Sequence, residues 1–153
     1  MNWKEAELEF QNVLSDCFNM GSTQVTDLNM QYADIDIQDR RGVTYSVKLQ
    51  RTAEKYGCFL FETKLMKRHT QDYMDGCFTS CKADNYVLFR THKGRDWCWV
   101  CPTMAIKELI NQGSYRKQYN TLETSSNVNR NRKYDMGELT VVPCQDIYQL
   151  PQC

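Results

Sequence analysis

Apolar residues recur at helical spacing near the start of the chain. Trp3, Ala6, Phe10, Val13, Leu14 and Cys17 fall on one stripe, which predicts an amphipathic helix over residues 2–18. Glu7 lies beside that stripe, between Trp3 and Phe10, whereas Glu5 and Glu9 point away. Gly21 is the expected stop. From Tyr32 the period changes to two. "YADIDIQ" alternates as a strand should, "DRRG" at 39–42 has turn chemistry, and "VTYSVKLQ" reads as the returning strand. "CFLFETKL", from Cys58, is apolar on both sides and predicts a central strand. Together the three predict an antiparallel meander.

Residues 66–81 fit a loop or an irregular helix. "NYVLFR" and "WCWVC" predict two strands joined through "THKGRD" as a hairpin, followed by a helix over "MAIKELINQ" that Gly113 ends. Residues 114–136 are polar and rich in Asn and Arg, which predicts a flexible loop. "ELTVVP" predicts a last strand and "CQDIYQL" a short terminal helix. The expected class is α+β, with a mostly antiparallel central sheet flanked by helices in one domain over residues 1–153.

Composition narrows this picture. A chain of 153 residues with 41% hydrophobic and 25% charged residues can bury a substantial core. It has no apolar run of membrane-spanning length, and its acidic N-terminus is unlike a secretory signal. An intracellular, cytoplasmic protein is expected, so its eight cysteines are expected as thiols or metal ligands rather than disulfides. The zero net charge is unevenly spread. Residues 1–36 carry one base and seven acids, and residues 37–70 carry eight bases and three acids. Nucleic-acid contact is compatible with the basic middle, although a charge run is also what a solvated face looks like.

Strand alternation then brings out chemistry. Asp34 and Asp36 are expected on one face of their strand, and Ser46, Lys48 and Gln50 on one face of the next. Glu62 interrupts an apolar strand, where a carboxylate is costly unless paired or metal-bound. Carboxylates bind Mg²⁺ through oxygen, the ion lowers the pKa of a bound water, and a lysine beside it orients that water or stabilises phosphoryl charge. The plainer reading of Asp34 and Lys48 is a cross-strand ion pair.

Asp34, the hairpin and then "SVKLQ" resemble the D…(E/D)-x-K core of the PD-(D/E)XK nuclease superfamily. The order "VKLQ", "FLFE", Gly76, "ADNY" resembles small nucleases encoded by phages and mobile elements. The resemblance covers roughly residues 1–100. It implies a restriction-endonuclease-like core and a Mg²⁺-dependent endodeoxyribonuclease, with Mn²⁺ able to substitute. Asp34, Glu62 and Asp36 would be metal ligands, Lys48 and Gln50 would handle the water, and Glu7 would be the further acid that many members carry on the first helix. DNA would be the partner and a homodimer or higher homo-oligomer the assembly, in a host cytoplasm if phage-encoded. The chain departs from the pattern at Ser46, where the family carries Asp or Glu. Glu62 or Asp36 could supply the missing carboxylate. If neither reaches, the chain would be a non-catalytic nucleic-acid-binding descendant.

Arg51 and Lys55 after the lysine strand, and Arg130, Arg132 and Lys133 in the late polar segment, are candidate DNA contacts, since arginine grips phosphates and reads base edges. Cys77-x₃-Cys81 and Cys98-x₂-Cys101 have spacing that a structural Zn²⁺ could use in an interaction module. The tryptophans around Cys98 speak instead for a continuous strand.

Overall fold

The computed structural model describes residues 1–51, 53–68, 70, 72–121 and 134–151. Arg130, Arg132 and Lys133 lie outside the described residues. Helix α1 (Trp3–Phe18) begins in a capping box: the Asn2 side chain accepts the Glu5 N–H at 2.9 Å, and Glu5 returns a bond to the Asn2 N–H at 3.1 Å. Ala6, Phe10 and Leu14 form its buried line, while Trp3 is 62% exposed. Its stop is Asn19 in the left-handed conformation, two residues before the expected Gly21.

The order continues with β1 (Ser22–Gln24), α2 (Leu28–Tyr32), β2 (Ile37–Asp39), β3 (Thr44–Leu49), α3 (Ala53–Tyr56) and β4 (Cys58–Met66). Then come β5 (Tyr73–Asp75), β6 (Asn85–His92), β7 (Arg95–Pro102), α4 (Thr103–Gln112), β8 (Arg116–Thr121), β9 (Met136–Pro143) and α5 (Cys144–Tyr148). The class is α+β with mostly antiparallel pairing, but the strands form two sheets rather than one. One has the order β1-β2-β3-β6-β7 and the other β5-β4-β9-β8.

The expected three-strand meander is therefore corrected. β2 and β3 pair antiparallel, but β3 next pairs parallel with β6, with Lys48 opposite Leu88. β4 belongs to the other sheet, pairing with β9 along its length and with β5 at its end. An all-apolar strand satisfies either sheet, and local pattern carries no information on which distant strand it meets.

The late loop is corrected as well, because Arg116–Thr121 is strand β8. Its polar residues meet polar partners on β9: the Lys117 Nζ donates to Thr140 at 2.6 Å, and the Tyr119 hydroxyl donates to Glu138 at 3.3 Å. A strand whose buried neighbours are themselves polar shows no hydrophobic alternation.

Two apolar clusters lie on opposite faces of the first sheet. Ala6, Phe10 and Leu14 of α1 cover Tyr45, Val47, Val87 and Phe89. On the other face Phe59, Phe61, Phe78, Tyr86, Leu88 and Ile106 make the larger core shared with β4, α4 and α5. Ser46, Lys48 and Gln50 alternate with Tyr45, Val47 and Leu49, so they point toward this second core. Ser46 is fully buried.

Candidate active site

Asp34 reaches the site by a turn, not a strand. β2 starts only at Ile37. Asp34 follows α2 with φ 60°, a left-handed conformation that aspartate tolerates better than most residues. Backbone bonds hold this turn: the Asp34 N–H donates to Gln31 and the Ile35 N–H to Met30, both at 3.0 Å, while the Lys82 N–H donates to Ala33 at 2.9 Å. The two Asp34 oxygens are both engaged. Oδ1 meets the Lys48 Nζ at 2.7 Å and Oδ2 accepts the Ser46 hydroxyl at 3.0 Å. Ser46 thus orients the aspartate with its hydroxyl. At 13% and 26% side-chain exposure, the Asp34–Lys48 pair is half-sheltered rather than a solvated surface bridge.

β3 has an open edge just beyond its short pairing with β2. Asp36 covers it, its Oδ2 accepting the Val47 N–H at 2.7 Å. Glu7 comes from α1 on one face of the sheet and Lys48 from the other, so the groups wrap this edge. Trp3, Glu7, Asp36, Val47, Lys48, Leu49 and Arg51 line one open cleft. Arg51 is exposed at its rim, and the exposed Lys55 lies on α3 just after it in sequence.

Electrostatics divide the roles. Burial raises the Glu7 carboxyl to about 7, helped by the charge of Asp36 and their shared hydrogen bond, with Lys48 and Lys4 opposing. Burial also raises Asp36, against Lys48 and the Val47 N–H. Each carboxyl of the Glu7–Asp36 pair thus makes the charged form of the other more costly. Burial works against the Lys48 ammonium, but Cys77, Asp34 and Asp36 outweigh it and raise its pKa. Lys48 is a fixed cation at neutral pH and suits charge stabilisation, not proton abstraction.

The sign for Glu7 gives a test. Its folded pKa lies above the ordinary 4.5, so its contribution to stability is full below that value and is lost as pH rises through about 7. Glu7→Gln should gain stability relative to the parent chain between pH 5 and 8. Thermal melts in chelator check this; a pH-independent difference contradicts it.

Gln50 and Glu62 stand differently from expectation. The Gln50 amide is closed onto the backbone of β4: Nε2 donates to the Leu60 carbonyl at 2.9 Å, and the Leu60 N–H donates to Oε1 at 3.1 Å. It joins the two sheets like a rung of strand pairing. The Glu62 carboxylate accepts the Cys77 N–H at 3.2 Å. Cys77 in turn acts electrostatically on Lys48, whereas Glu62 is not among the residues that line the cleft.

That turn needs its glycine. A Cβ on Gly76 would sit 2.5 Å from the Glu62 carbonyl oxygen, beside a register shift of β4 against β9 between Glu62 and Lys64. Gly76→Ala should cost about 1–3 kcal/mol and displace Cys77. Urea unfolding reads the loss, and an unchanged midpoint contradicts the packing described.

The spacing of the sequence points to Cys77 only as a zinc ligand and does not point to Tyr86. Tyr86 is Ser46's register partner on β6. Burial, then Cys77 and Asp34, raise its hydroxyl well above the ordinary value. Only the cross-strand register reveals it.

The zinc reading meets a geometric obstacle. Cys98 packs with the α1-side cluster and Cys101 with the other core, so the two thiols leave opposite faces of β7. Burial also raises Cys81 and Cys98 to about 11, keeping both as thiols.

For a divalent ion, no three His, Cys, Asp or Glu side chains gather as a cage among the described residues. Mg²⁺ does not require one, since one or two carboxylates plus water and substrate phosphate suffice. The hydrogen-bonded Glu7–Asp36 pair fits that need, because two carboxyls forced together are the donor set a cation relieves. No protein-family model, curated protein or solved structure matches the chain.

Proposed function

We propose that the chain is a metal-dependent DNA endonuclease hydrolysing phosphodiester bonds at the cleft along the β3 edge. The observation that carries this is the meeting of Glu7 and Asp36 with the Lys48 ammonium, itself paired to Asp34, in an open cleft with Arg51 at its rim. The resemblance of Asp34 and "SVKLQ" to PD-(D/E)XK nucleases, with their restriction-endonuclease-like core, supports the same reading.

Asp36 and Glu7 would hold Mg²⁺ or Mn²⁺, with Asp34 behind them. When bound, the ion supplies charge neutralisation and a more acidic water. The chain's own groups do the rest. Lys48 faces the phosphoryl oxygens and stabilises the charge that builds on them. Asp34, held by Ser46, fixes the ammonium. The attacking water gives up its proton to solvent in the open cleft, and the leaving oxygen takes one back, as one P–O bond forms and the other breaks. Arg51 and Lys55 grip phosphates. One cleft cuts one strand, so a double-strand break would call on two copies.

A second reading rests on Ser46. It stands at the acidic position of the motif and ties up Asp34, as suits a descendant that binds nucleic acid without cutting it. Supercoiled plasmid separates the two. Nicking or linearisation with Mg²⁺ or Mn²⁺, absent in chelator, is the expected result. DNA binding without cleavage under either ion favours the second reading.

A further inference from the structure

The β6–β7 hairpin presents a second feature, apart from the cleft. Its register places Leu88 opposite Trp99, Arg90 opposite Trp97 and His92 opposite Arg95. Paired residues share a face, so Arg90, His92, Arg95, Trp97 and Trp99 lie on one side of the ribbon. Tyr148 of α5 extends the row. Trp97 and Trp99 have ring centroids 6.1 Å apart, and Trp99 stacks on Tyr148 at 4.2 Å. Trp99 and Tyr148 close the core. Trp97 does not, and remains 45% exposed.

Arg90 adds an observation of another kind. It is only 7% exposed, and a buried guanidinium normally has a carboxylate. Here it donates to the Tyr148 hydroxyl at 2.7 Å and meets His92 Nδ1 at 3.2 Å, while its Nε has no partner. Among the described residues no carboxylate forms an ion pair with it, and the Cys144 thiol is its other electrostatic neighbour; Asp96 accepts the Thr91 hydroxyl at 2.8 Å and Glu54 accepts the Lys93 N–H at 3.1 Å. His92, Lys93 and Arg95 are all exposed at the tip. An open indole face beside uncompensated positive charge is complementary to a base with its phosphate.

We infer that this face of the β6–β7 hairpin binds single-stranded polynucleotide, with a base stacked on Trp97 and adjoining phosphates held by Arg95 and His92. Aromatic faces accept every base, so the contact is sequence-tolerant. The ligand class rests on the nucleic-acid reading of the cleft; the platform rests on the ring row and Arg90. Leu88, two residues before Arg90, is Lys48's register partner, so the platform begins on the strand next to β3.

The test is fluorescence anisotropy of a labelled oligothymidylate of about 20 nucleotides, enough to span a stacking groove, in chelator so that nothing is cut. Matched oligouridylate tells DNA from RNA. Trp97→Ala should weaken binding about tenfold, with Trp97→Phe recovering most of it. Arg95→Ala should weaken binding and flatten its dependence on salt. Both positions are exposed, and unchanged melts confirm the fold. Absence of binding by the parent chain, or binding by Trp97→Ala at parental strength, overturns the platform. Cleavage with Trp97-independent binding sinks the platform alone, and Trp97-dependent binding without cleavage sinks the catalytic reading alone.

Discussion

Lys48→Ala lowers the rate of metal-dependent DNA cleavage about 10²–10³-fold, the scale seen when one aimed charge-stabilising donor is lost. The reason lies in its surroundings. Asp34, Asp36 and Cys77 hold the ammonium charged despite its shelter, so the cation is in place before substrate arrives and needs no reorganisation. The chain itself should survive the change. Asp34 keeps its bond to Ser46 at 3.0 Å and retains some access to water, so the stability loss is small beside the loss of rate. Single-turnover cleavage, with circular dichroism to confirm the fold, measures both. Cleavage by the variant at the parental rate removes Lys48 from the chemistry.

Gln50→Ala acts on the other side of the balance. It strips partners from both the Leu60 N–H and the Leu60 carbonyl at a position 9% exposed. An orphaned group costs about 1–3 kcal/mol when fully buried; Leu60 is half-buried, so the two together should cost toward the lower end, about 2–4 kcal/mol, in urea unfolding. Gln50→Glu sharpens the point, since a carboxylate can accept from the Leu60 N–H but cannot donate to its carbonyl. It should be destabilised at neutral pH and recover partly in acid, where a protonated carboxyl donates again. Cleavage by the folded fraction should stay close to parental. A chain as stable as the parent, with its cleavage abolished, would return Gln50 to a water-handling role.

These two residues show how unevenly the sequence speaks. Lys48 was legible because a lysine among alternating apolar residues has to be accommodated by something, and Asp34 was the acid in reach. Gln50 shares that face, yet its amide is consumed by a strand in another sheet. That pairing depends on where β4 docks, which no local pattern encodes. α1, the Asp39–Gly42 turn, the β6–β7 hairpin and α4 follow from period and turn chemistry, because their determinants are close in the chain. β1 and α2 are only three and five residues long and too short for a period to emerge. The parallel pairing of β3 with β6 joins residues forty apart in sequence. The acidic pair is half legible: alternation puts Asp36 on a strand face beside Asp34, whereas it covers an open strand edge and hydrogen-bonds Glu7.

The most direct measurement is the cleavage rate of a labelled duplex as Mn²⁺ is raised, for the parent chain and for Asp36→Asn. Asparagine can still accept the Val47 N–H, so the fold is kept while the charge is removed. The parent chain should cleave with a saturable dependence on the ion, and Asp36→Asn should lose cleavage or require far more Mn²⁺. Cleavage by Asp36→Asn at the parental rate and the same ion concentration would contradict a carboxyl-bound metal at the β3 edge.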